Sequence, residues 1–213
     1  MLPIVYSTKR EIATKLLRES IIRGELAPGT HIVLEELGQK YHLSLTPIRE
    51  AIPILEGEGY VIQLPHKGAI VAPMDSDEIR ELYAVRSAME ALATSEGVPR
   101  LTSHDLANMQ AHLATLETNQ GAWEDFLEVD RGFHLVLYQA SGRQRWVETI
   151  ETLWLRCKRY MLVVISTDSL KDFIHADHRQ LLQACQQRDV SLAEATIRMH
   201  LKRSEEHLLA RWQ

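Results

Sequence analysis

Residues 43–60 read LSLTPIREAIPILEGEGY. Ile48, Ala51, Ile52 and Leu55 recur at the spacing of one helix face, so the segment from Leu45 to Glu56 is expected to be a helix that buries that face. Ser44 stands where an N-cap belongs, and Pro47 falls in the first turn, where a missing N–H costs little. Thr46, Arg49, Glu50 and Pro53 are left on the outer face. Pro53 removes the bond to the Arg49 carbonyl and is expected to bend the helix, at a cost of roughly 3 kcal/mol if nothing compensates.

The flanking segments give this helix a context. Before it lie a helical pattern over Thr8–Arg23, a turn GELAPGTHI, a second helical pattern over Leu34–Tyr41 and a short turn HLSL. After it come two alternating β-branched runs, YVIQL and GAIVA, joined by PHKG, the pattern of a small β-hairpin. Three helices and a two-stranded ribbon in this order make a winged helix-turn-helix, whose third helix enters the major groove of DNA. Arg49 can reach a guanine edge or a phosphate. Thr46 and Ser44 can bond phosphate oxygens at the helix N-terminus, where the dipole also favours anions. The competing reading is an ordinary small domain in which Arg49 forms a surface ion pair with Glu50 or Glu56.

The charge of the whole chain masks that of its parts. The 213 residues carry a formal net charge of −5, but residues 1–74 hold 8 Lys+Arg and 8 Asp+Glu. The acidic excess therefore belongs to the second part, and DNA binding is expected to use a local basic surface around Arg49, Lys67 and Lys40 and to weaken with salt. A composition 45% hydrophobic and 25% charged excludes a disordered chain. The longest apolar run, YMLVVI from Tyr160 to Ile165, is far short of the ~20 residues that cross a bilayer, so no membrane partner is expected. The start, MLPIVYSTKREIATKLL, has a charged helical pattern in place of a signal peptide's apolar core, and a cytoplasmic location is expected. Cys157 and Cys185 are expected to be buried reduced thiols.

At VAPMDSDE the pattern changes. Beyond it no strand signal recurs, and helix starts are marked by Asp75 with Glu78, Thr102 with Asp105 and Ser191 with Glu194. Breaks at GVPRLTS, NQGA, ASGR, STDS and RDVS divide the remainder into about six helices. The fold class expected is mainly α, with a winged helix-turn-helix over residues 1–73 and an antiparallel all-helical bundle over 76–211.

In the bundle, EVDRGFHLVLY places Asp130 and His134 four residues apart on one helix face, a spacing suited to two ligands of one metal. His178 and His200 lie equally far, eleven residues, on either side of Asp189. In a helical hairpin turning there, they stand at the same height and can face each other. One carboxylate and three imidazoles can thus converge; the alternative is four separate histidine and aspartate environments. His31, His42, His104, His112 and His207 are expected to be surface or core residues, and His175 to lie outside the ligand set. Ile79, Leu82, Arg86, Met89 and Ala93 form a helical stripe that puts a guanidinium on an apolar face. A buried arginine requires an anion, and either Glu90 or a bound organic acid can supply it.

Two resemblances add to this reading. GELAPGTHIVLEELGQKYHLSLTPIREAIPILEGEGYV with PHKGAIVA resembles the DNA-binding domain of GntR-family bacterial transcription regulators, through PGT, TPIREA, LEGEGYV and KGAIV. That resemblance implies that Thr46, Arg49 and the wing residues His66, Lys67 and Gly68 contact operator DNA. Leu45 stands where the family usually has arginine, and Pro53 where it usually has a helix former, which implies an altered operator preference. Residues 76–211 resemble the FCD ligand-binding domain of the FadR branch. There an Asp-x-x-x-His pair and two later histidines hold a divalent metal, and Asp130, His134, His178 and His200 match them. Zinc is the first expectation, with nickel, manganese or iron as others. A tetrahedral zinc would be closed by these four ligands, whereas a six-coordinate ion would keep two positions open. The function implied is a homodimeric regulator that binds operator DNA and responds to a small carboxylate held by Arg86 and the metal. A regulator that senses the metal alone and a metal-dependent hydrolase are the alternatives; HExxH is absent, and no general base can be named.

Overall fold

The computed structural model describes residues 8–118, 123–165 and 171–210. The chain divides into two compact units between Met74 and Asp75.

The first unit opens with α1 (Lys9–Ile22), started by a reciprocal capping box between Thr8 and Glu11. After it come α2 (Leu34–Tyr41) and α3 (Leu45–Gly57). Ile48, Ala51, Ile52 and Leu55 of α3 are all buried, against α1 and α2. A two-point bond from Arg18 to Glu58, at 2.9 and 2.7 Å, fixes α1 to the end of α3. α3 runs through Pro53 without ending. Pro53 is exposed, so the Arg49 carbonyl that it leaves without a helical donor lies on the face open to water.

The sheet is larger than a hairpin. β2 (Val61–Leu64) and β3 (Gly68–Val71) pair as expected, but β1 (His31–Ile32) adds to the other side of β3, giving the order β1-β3-β2. The segment read as a turn, GELAPGTHI, therefore ends in a strand. Two residues are too few to show an alternating pattern, and backbone bonds of 2.9 Å from Gly29 to Val71 and from Val71 to Thr30 hold the strand in place. The wing turn is tight: His66 and Gly68 take left-handed φ of 62° and 82°, and the Lys67 N–H bonds the Leu64 carbonyl at 3.0 Å.

The second unit contains, among the described residues, six α-helices and a short 3₁₀ turn (Val98–Arg100): α4 (Ser76–Gly97), α5 (Ser103–Thr118), α6 (Trp123–Ala140), α7 (Gln144–Ile165), α8 (Lys171–Gln187) and α9 (Val190–Ala210). Two of the three helix starts lie where the sequence marks them. Asp75 caps α4 through the N–H groups of Asp77 and Glu78, and Thr102 and Asp105 bond reciprocally before α5. The third is displaced: Asp189, not Ser191, caps α9, with its carboxylate 2.9 Å from the Leu192 N–H. The connection is tighter than the pattern suggests, because Arg188 takes a left-handed φ of 58° and ends α8 directly before the cap. The breaks expected at NQGA and STDS lie outside the described residues.

α4 packs on α9, α7 and α6, and α5 on α6 and α8. Gly97 permits the approach of α6, since a Cβ there would come 2.3 Å from the Leu137 carbonyl oxygen. Ile79, Leu82, Arg86 and Ala93 are buried along α4, whereas Met89 is half-buried. Both cysteines are free and buried. Among the described residues no helix is long and apolar enough to cross a membrane.

Candidate functional site

Ser44, Thr46 and Arg49 are exposed on the N-terminal half of α3, and His66, Lys67 and Gly68 are exposed on the wing. Arg49, His66 and Gly68 meet in one groove of about 520 Å³ between α3 and the sheet, with Gln63, Leu64 and Pro65. Ser44, Thr46 and Lys67 do not line that groove. Ser44 is the N-cap residue of α3 but makes no side-chain capping bond, which leaves its hydroxyl available to an incoming oxygen.

Arg49 forms no ion pair among the described residues. Glu56 is committed elsewhere: it accepts from the Gln63 backbone N–H at 2.9 Å and from the Gln63 amide, and these bonds hold its carboxyl below the usual range. Lys40 is exposed and pairs with Glu25 at 2.6 Å, a surface contact that leaves its ammonium within reach of solvent.

In the bundle, α6, α8 and α9 bring four buried donors together. The ligand atoms of Asp130, His134, His178 and His200 all lie within 4.8 Å of one another. His134 Nε2 is 2.9 Å from His178 Nε2, and Asp130 Oδ1 is 3.2 Å from His178 Nε2 and 4.0 Å from His134 Nε2. Phe133 walls the cluster, with its ring 4.7 Å from that of His178 and 5.2 Å from that of His134.

The electrostatics suit a cation. Burial, reinforced by the neighbouring imidazole of His178, pushes His134 well below the usual histidine range; burial likewise lowers His178, against the pull of Asp130. Burial alone would raise Asp130, but its bond to His178 and the surrounding imidazoles hold its carboxyl low. Asp130 is therefore held as a carboxylate, and burial favours the neutral rings of His134 and His178, the protonation states a metal needs of its ligands. Four ligands about 2.1 Å from a tetrahedral ion stand about 3.4 Å apart, so on binding the widest separations close by up to about 1.4 Å and the 2.9 Å pair opens slightly. The donor set fits a divalent metal.

Arg86 of α4 borders the same space. It is 6% exposed and gives Nε to Glu90 Oε1 at 2.7 Å; the other oxygen of Glu90, itself 2% exposed, accepts from Tyr138 at 2.6 Å. Glu90 is thus the anion that burial of Arg86 demands, but it satisfies only one edge. Arg86 Nη1 and the Tyr83 hydroxyl are buried without a hydrogen-bond partner. Both residues line a cavity of about 50 Å³ together with Asp130, His134 and His200. Tyr83 and Tyr138 escaped the sequence reading because a tyrosine at helical spacing looks like core packing; each lies one turn from a residue singled out there, Arg86 and His134.

The match to known families follows this division. Residues 9–71 match the family model for bacterial regulatory proteins of the gntR family, and residues 81–203, more than half the chain, match the FCD domain. The chain is a GntR-family transcription regulator with an FCD domain. The HTH-type transcriptional regulator McbR of Escherichia coli is 29% identical to it over 178 residues, covering 81% of this chain and 80% of McbR. The HTH-type transcriptional repressor GlaR of the same organism is 29% identical over 196 residues, covering 87% and 89%. The solved structure of E. coli McbR/YncC covers 98% of the regulator and 100% of its own chain with a TM-score of 0.69 at 23% identity. A GntR-family regulator from Pseudomonas syringae pv. tomato covers 96% and 86% with a TM-score of 0.60 at 29% identity. Family and relatives are transcription regulators and not enzymes, which removes the hydrolase alternative.

Proposed function

We propose that this regulator binds operator DNA as a homodimer and is controlled by a small carboxylate held between Arg86 and a divalent metal. Asp130, His134, His178 and His200 are its metal ligands, with zinc the first choice. Ser44, Thr46 and Arg49 on α3, with His66, Lys67 and Gly68 on the wing, contact the DNA. Pairing of two chains places two such readers at a half-site spacing. An effector with unequal affinity for two spacings shifts the balance between them. Two relatives, RspR and GlaR, carry the name of repressor, which supports a repressor here too.

The observation that carries the effector reading is the pair of orphaned buried donors, Arg86 Nη1 and the Tyr83 hydroxyl, on the cavity that the metal-binding cluster also lines. Buried polar groups without partners are rare, and two donors beside a cation-binding cluster select an anion with more than one oxygen. The bound metal supplies the positive charge for one end of that anion. Arg86 and Tyr83 orient the other end.

Thermal melting of metal-loaded and metal-stripped protein, each against a panel of two- to six-carbon carboxylates, tests this. At least one acid is expected to raise the melting temperature of the loaded form alone, by several degrees at about 100 times its Kd. A metal-dependent shift with no acid responding would leave a regulator of the metal itself.

A further inference from the structure

Asp177 lies beside the metal-binding cluster without belonging to it. It is 2% exposed on α8, next in sequence to His178. Its Oδ1 accepts from Arg203 on α9, so its charge is held in place by a guanidinium reaching in from the surface. Its other oxygen, Oδ2, has no hydrogen-bond donor, and 3.5 Å away stands His200 Nδ1, also buried and also without a partner. A carboxylate oxygen and a ring nitrogen, each unsatisfied and facing the other, complete one another if that nitrogen carries the proton. The Nδ1 atoms of His134 and His178 are buried without partners too, and neither has a carboxylate within salt-bridge distance among the described residues. His200 is the imidazole whose tautomer the protein itself selects.

We propose that Asp177, locked by Arg203, is a positioning residue for the metal centre: it accepts the Nδ1–H of His200 and so leaves the Nε2 lone pair free for the ion. This rests on the reading of the four-residue cluster as a metal site. A carboxylate behind a ligating imidazole fixes ring orientation and raises ligand basicity, and its loss usually weakens metal binding about 10- to 100-fold. The device also explains the burial of an aspartate that touches no ligand atom of the cluster other than through His200.

Zinc affinity measured by chelator competition on the full chain tests the assignment, together with ¹⁵N NMR of the His200 ring in metal-free protein. Asp177→Ala is expected to weaken zinc about 10- to 100-fold and Arg203→Ala by less, while Asp177→Asn, which keeps an acceptor, falls between. Metal-free wild type is expected to hold His200 in the Nδ1–H form, and Asp177→Ala to lose that preference. A purely structural role would lower stability and leave the tautomer unchanged. Zinc affinity within twofold of wild type in both Asp177 variants, or an Nε2–H tautomer in the wild type, overturns the proposal. The Asn variant and the wild-type spectrum decide the matter if Asp177→Ala does not fold. Failure of the wild type to bind zinc would instead remove the underlying metal reading.

Discussion

His178→Ala is expected to abolish stoichiometric metal content. His178 is fully buried at the centre of the cluster, 2.9 Å from the ring of His134 and 3.2 Å from the Asp130 carboxylate. Its removal takes away a nitrogen that touches two of the other ligands. Three donors remain, one of them a buried carboxylate that has lost the imidazole bond holding it ionised. A thousandfold weakening of metal binding corresponds to about 4 kcal/mol of ligand-linked stability at saturating metal. Elemental analysis of the purified protein gives the first check, with about one metal per wild-type chain and none in the variant. Melting curves with and without chelator give the second. Chelation is expected to lower the wild-type transition by roughly 10 °C, given about 2–4 °C per kcal/mol for a chain of this size. The variant is expected to melt at one temperature in both conditions.

Glu90→Ala is expected to destabilise the helical unit about as severely, for a different reason. Glu90 neutralises the Arg86 guanidinium and accepts the Tyr138 hydroxyl, and all three side chains are buried. Truncation leaves a buried cation with no counter-charge and an orphaned hydroxyl, a change that typically costs about 3–5 kcal/mol. Replacing both charges, as Arg86→Met with Glu90→Met, is expected to recover much of that loss, because two apolar chains of similar volume need no desolvation. The double variant is expected to keep its metal and lose every carboxylate-induced shift. Calorimetry of the three proteins, with and without the acid that shifts the wild type, separates the two roles of Arg86. An undiminished carboxylate shift in the double variant contradicts the assignment of Arg86 to the effector.

The sequence was most legible where local physics decides the outcome. The α3 face of Ile48, Ala51, Ile52 and Leu55 follows from helical periodicity, and the caps at Asp75 and Thr102 from short-range hydrogen bonding. The meeting of His178 and His200 followed from equal distances about Asp189, since a tight helical hairpin turns position in sequence into height. What escaped depends on partners far along the chain. β1 is two residues that exist as a strand only because β3 runs beside them, and Lys40 pairs with a glutamate fifteen residues earlier. The orphaned edge of Arg86 was illegible for the same reason: Glu90 satisfies Nε locally, but whether Nη1 finds a partner depends on side chains from other helices. Asp177 carried no signal as a residue beside His178, because neighbours on a helix point apart and its contacts with His200 and Arg203 come from α9.

If one unit reads DNA while the other holds a metal, two single substitutions separate the two roles. Arg49→Ala and His178→Ala are each assayed for metal content and for affinity to DNA from the protein's own promoter region at low salt. Arg49→Ala is expected to keep about one metal per chain and to bind DNA about 10- to 100-fold more weakly. His178→Ala is expected to lose the metal while its effector-free protein still retards the DNA. Metal loss in Arg49→Ala with DNA affinity intact, or no retardation of any promoter fragment by the wild type, would contradict the account.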